Sequence, residues 1–90
     1  MILERDIEKY LKKEVESHGG LLIKQTSISG IPDRIIVAPI GITCWVELKR
    51  PGEKPRKLQE HWINKLKSLG HEAVYLDSKE GVDKLIASLF

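Results

Sequence analysis

Gly30-Ile31-Pro32-Asp33 is followed, after an apolar run, by Glu47-Leu48-Lys49, so that an acid behind a proline turn precedes an acid and a base at strand spacing. Side chains at i and i+2 leave a strand on the same face. Glu47 and Lys49 therefore project together, and Leu48 packs behind them. A hard dication such as Mg²⁺ takes oxygen ligands in near-octahedral geometry and keeps several waters, so Asp33, Glu47 and one backbone carbonyl suffice as its protein ligands. Phosphodiester hydrolysis needs an activated water and neutralisation of the charge building on the phosphate, with an ammonium close by to orient the water or stabilise the oxyanion. Lys49 supplies that ammonium. Singly, Pro-Asp is a common turn pair and Glu-x-Lys is usually a solvated ion pair. In this order, joined by one strand-length segment and preceded by a helix, they predict a metal-dependent phosphodiesterase site.

A net charge of +2 is too small to announce a nucleic-acid binder, so the distribution of charge decides. The segment Lys49-Arg50-Pro51-Gly52-Glu53-Lys54-Pro55-Arg56-Lys57 carries five bases against one acid and begins inside the predicted site. Arg50, Lys54, Arg56 and Lys57 are accordingly expected to contact backbone phosphates, and Arg34, beside Asp33, is placed with them.

Ninety residues make one domain, 1–90, with a single core in which each layer must bury apolar surface efficiently. The balance of 41% hydrophobic and 31% charged residues is that of a soluble globular protein, and no apolar run approaches membrane-spanning length. Met1-Ile2-Leu3-Glu4-Arg5-Asp6 turns acidic soon after its start and enters a helical pattern, so it does not read as a secretory signal and a cytoplasmic protein is expected. Cys44 is alone, without Cys or His companions at zinc-ligand spacing, and is read as core filler. His18, His61 and His71 are not assigned to the site.

The elements follow from periodicity. Ile2, Leu3, Ile7, Tyr10, Leu11 and Val15 predict a helix from Ile2 to about Ser17, closed by Gly19-Gly20. A strand from Leu21 to Thr26 leads into the loop Ser27–Pro32, and Ile35-Ile36-Val37-Ala38 reads as a central strand with Asp33 at its mouth. Pro39-Ile40-Gly41 turns the chain back through Ile42 to Lys49. Trp45 shares a face with Glu47 and Lys49, where it is either a platform under the site or packing against the first helix, and packing is the expectation because large aromatics are mostly structural. After Pro55 comes a helix with Leu58, Trp62, Leu66 and Leu69 on its apolar stripe, and a short strand follows from Ala73 to Leu76. Val82, Leu85, Ile86 and Leu89 form a closing helix with Ser78 as its N-cap. The order is αβββαβα, an α/β fold with a mixed sheet flanked by helices.

With these elements in place, the chain resembles a VRR-NUC domain, a branch of the PD-(D/E)xK nuclease superfamily, in its compact stand-alone phage and bacterial form. The resemblance covers nearly the whole chain. It rests on Ile7-Glu8-Lys9-Tyr10-Leu11, Gly19-Gly20, Gly30-Ile31-Pro32-Asp33-Arg34, Val46-Glu47-Leu48-Lys49, the Pro51-Gly52 turn, Leu58-Gln59 and Leu69-Gly70. It implies a restriction-endonuclease-like core with Mg²⁺ or Mn²⁺ held by Asp33, Glu47 and the Leu48 carbonyl. Lys49 would be the base-like or stabilising residue, Glu8 would approach the metal from the first helix, and Gln59 would help position the site or the phosphate. It further implies a homodimer that cuts four-way (Holliday) DNA junctions, because symmetric incision needs two sites about a two-fold axis. Two rivals stand beside this expectation. One is a nuclease acting on flaps or plain duplex; the other is a non-catalytic DNA-binding module that uses only the basic loop.

Overall fold

The computed structural model describes residues 1–90. Its elements are α1 (Glu4–Ser17), β1 (Leu21–Lys24), β2 (Arg34–Val37), a 3-10 turn at Pro39–Gly41, β3 (Thr43–Leu48), α2 (Lys57–Ser68), β4 (Glu72–Leu76) and α3 (Lys79–Leu89). This is the αβββαβα order that the periodicity predicts, with β1 ending two residues earlier than expected. No helix is long and apolar enough to cross a membrane.

The sheet order is β1-β2-β3-β4, antiparallel between β1 and β2 and between β2 and β3, and parallel between β3 and β4. A short turn suffices for an antiparallel return, whereas the parallel pair requires the crossover that α2 provides. The register Arg34–Val46 and Ile36–Cys44 sets Arg34, Ile36, Cys44 and Val46 on one face. Ile7, Leu11 and Val15 of α1 and Val82, Leu85, Ile86 and Leu89 of α3 bury that face. Tyr10 ties the two helices together, its hydroxyl donating to Asp83 Oδ1 at 2.6 Å. Ser78 caps α3 as expected, its Oγ accepting from the Gly81 amide at 3.0 Å.

α2 covers the other face, and two sequence expectations change here. Trp45 packs with Ile31 against Ile63, Leu66 and Ala73, hence toward α2 rather than the first helix. The buried stripe of α2 is Gln59, Ile63 and Leu66, while Leu58 and Leu69 are more than half exposed. The helix is rotated because Leu58 and Trp62 serve a loop instead of the sheet. A Cβ built on Gly30 would come within 2.5 Å of Leu58 Cγ and 3.3 Å of Trp62 Cδ1. With φ at +84°, Gly30 also occupies backbone space that side chains disfavour, so both sterics and backbone select glycine where the chain turns toward Asp33.

Candidate active site

β3 positions the two halves of its sequence pattern on opposite faces. Val46 and Leu48 enter the core, while Glu47 and Lys49 leave on the α2 side, and all four are buried. Continuing the Arg34–Val46 register by one residue sets Asp33 opposite Glu47. Proximity is visible in the Glu47 carboxyl, whose pKa rises from 4.5 to about 7. Burial is the main cause and the Asp33 charge the second; Lys49 opposes them, with smaller contributions from Glu4, which raises it, and Arg56, which lowers it. A buried Glu47 carboxylate facing the repulsion of the partly exposed Asp33 makes a set of hard oxygen donors short of a cation.

The backbone adds a third oxygen. Lys49 N–H donates to Leu76 O at 2.9 Å, so Lys49 turns its peptide groups to β4 and Leu48, one residue before, turns its own toward β2. The residue that would donate to the Leu48 carbonyl there is Pro32, which has no N–H. The paired register between β2 and β3 stops at Arg34–Val46, and the Pro32 carbonyl accepts instead from Gln25 Nε2 at 2.9 Å. The proline of the Pro-Asp turn thus opens the sheet beside the carboxylates. Asp33, Glu47 and the Leu48 carbonyl fit a Mg²⁺-type ion that keeps several waters. No group of three His, Cys, Asp or Glu side chains gathers into a closed metal cage. Lys49 is buried beside Glu47 yet joins none of the ion pairs, so its ammonium is uncommitted.

Arg34 is not the exposed phosphate contact expected from the sequence. Alternation along β2 turns it toward α1, where it is buried and donates through Nε to Glu8 Oε2 at 2.6 Å, while Nη1 pairs with Asp33 Oδ2 at 3.0 Å. It braces Asp33 at the mouth of the strand. Glu8 is accordingly engaged as the counter-ion of Arg34, and the α1 acid whose charge acts on Glu47 is Glu4, one turn earlier. The i, i+4 spacing of Glu4 and Glu8 puts both on one helix face, and the pattern alone did not single out Glu4. Gln59 is buried, with Oε1 accepting from the Arg56 amide at 2.8 Å. It therefore fixes the start of α2 and, with it, Arg56 at the edge of the site.

The basic loop is exposed as expected at Arg50, Lys54, Arg56 and Lys57. Arg50 is drawn to Glu53, with Nη2 at 3.4 Å from Oε2, and the Gly52 amide donates to Asp77 Oδ2 at 3.2 Å. Lys54, Arg56 and Lys57 are free of ion pairs. Cys44 is a buried core thiol raised to about 12, mainly by burial, and the three histidines lie exposed.

A mixed sheet with an acid at the mouth of its second strand and Glu-x-Lys on its third is the restriction-endonuclease-like architecture of metal-dependent nucleases. A solved structure described as a VRR_NUC domain superposes with a TM-score of 0.88 at 31% identity, covering 97% of this chain and 97% of the other. "Putative nuclease p44" of Acyrthosiphon pisum secondary endosymbiont phage 1 is 42% identical over 82 residues, which are 89% of this chain and 88% of that protein. No protein-family model matches the sequence. The chain belongs to the VRR-NUC nuclease family.

Proposed function

We propose that this chain is a one-domain, Mg²⁺- or Mn²⁺-dependent DNA endonuclease that cuts four-way junctions as a homodimer. The observation that carries the chemistry is the convergence of Asp33, Glu47 and the unpaired Leu48 carbonyl beside an uncommitted Lys49. Asp33, Glu47 and the Leu48 carbonyl hold the ion, and Glu4 rather than Glu8 adds charge from α1. When bound, the ion supplies an acidified water and charge neutralisation at the phosphate. Arg34 keeps the Asp33 carboxylate oriented, an outer contact of the kind that tunes ligand geometry. Lys49 directs its ammonium at the oxygen where negative charge develops, and Arg56 adds positive potential from the start of α2. The exposed bases Lys54, Arg56 and Lys57, with Arg50, hold phosphates on the side of the cut where β3 ends.

The junction and the dimer come from the resemblance to stand-alone members of the family and from symmetry: one site cuts one strand, so paired incisions need two sites about a two-fold axis. The test is cleavage of a labelled four-way junction and a matched linear duplex with Mg²⁺, Mn²⁺ or EDTA, comparing wild type with Glu47→Ala. Paired incisions in the junction, abolished by EDTA and by the substitution, are expected. Equal cutting of both DNAs would keep the nuclease and remove the junction preference. Binding without cutting under either metal would leave a non-catalytic module.

A further inference from the structure

Outside the loop after β3, basic residues also gather around a groove of about 430 Å³ between α1 and the edge strand β1. It is lined by Lys9, Lys12, Lys24, Leu22, Glu8 and Arg34. Lys24 stands directly opposite Arg34 in the β1–β2 register, a like-charge cross-strand pair that costs stability on its own. Arg34 is neutralised by Glu8 and Asp33, whereas Lys9, Lys12 and Lys24 are exposed and take part in no ion pair. Glu8, the acid in the groove wall, is consumed by Arg34. Three uncompensated ammonium groups around a concavity concentrate positive potential there, and an anion relieves it.

The position of the groove selects the anion. Its floor residue Arg34 also pairs with Asp33, so the groove on the α1 face is joined to the carboxylates through one guanidinium at the mouth of β2, while the basic loop leaves from the Lys49 end of β3. A scissile phosphate lies between two runs of backbone, and the loop accounts for one of them. Resting on the nuclease reading above, we infer that Lys9, Lys12 and Lys24 form a second phosphate-binding tract, which holds the DNA strand on the Asp33 side of the cut. It is a backbone contact, indifferent to base sequence.

The experiment measures binding of a fluorescein-labelled four-way junction by anisotropy in EDTA, across a salt series. Wild type is compared with K9Q/K12Q/K24Q and with K65Q/K67Q/K84Q, which removes the same charge from exposed positions on α2 and α3. The groove variant is expected to bind on the order of tenfold or more weakly near 100 mM salt, with a log K against log salt slope shallower by about 3. The control is expected to keep the wild-type slope. A groove variant indistinguishable from wild type, or a control that loses as much, would overturn the tract while leaving the nuclease reading standing. A wild-type chain that binds no DNA would overturn that reading and the tract with it.

Discussion

Replacing Glu47 by Gln removes one charge from a buried side chain that faces the Asp33 carboxylate and leaves its shape. In the folded, metal-free protein the carboxyl titrates at about 7 against an ordinary value of 4.5. A raised acid favours the folded state below its unfolded pKa, and that advantage is lost as pH climbs through the folded value. With each pH unit of displacement worth about 1.4 kcal/mol, ionised Glu47 costs the folded state about 3 kcal/mol above pH 7. Urea unfolding in EDTA, followed by the fluorescence of Trp45 and Trp62, should show wild type and Glu47→Gln close together near pH 4.5. By pH 8 the variant should be the more stable by about 3 kcal/mol. For a domain this size that equals roughly 12 to 24 °C in melting temperature. Saturating Mg²⁺ should restore much of the wild-type loss at pH 8 and leave the variant unmoved, because only the native carboxylate gains from the ion. Parallel pH profiles for the two proteins would refute both the crowding of Asp33 against Glu47 and the donor set built on it.

Lys49→Ala should lower the cleavage rate by about two to three orders of magnitude with no loss of fold, measured as single-turnover rates beside circular dichroism. Arg34→Met should weaken Mg²⁺ binding by roughly 10- to 100-fold, because Asp33 loses its brace. It should also cost about 1–3 kcal/mol, a figure tempered by the partial exposure of Glu8 and Asp33; calorimetric titration and urea melts read the two effects. Gly30→Ala should cost about 2–5 kcal/mol in urea unfolding, from the positive φ together with the collision with Leu58.

The pleat of β3 was readable from sequence because a period of two leaves no freedom once Val46 and Leu48 are seen to be apolar, and Glu47 and Lys49 fell on one face as a result. Helical periodicity constrains less. Leu58, Trp62, Leu66 and Leu69 make as good a stripe as Gln59, Ile63 and Leu66, and only contact with the Gly30 loop decides between them. Arg34 was misplaced for a similar reason: an arginine in a short strand reads as surface until two acids, one from a distant helix, are found to neutralise it. The choice between Glu4 and Glu8 likewise depended on where α1 crosses the sheet, which no local pattern encodes.

Because β3 alternates core and site residues one by one, its reading frame is held from both sides at once. A single residue added or lost between Cys44 and Glu47 would drive Glu47 and Lys49 against Ile7 and Leu11 and put Val46 and Leu48 where the site's polar groups belong. Folding and chemistry would fail together. Among descendants of this chain, insertions and deletions should therefore collect in the loops around Ser27 and Lys54 and spare this strand, whatever happens to the identity of its individual residues.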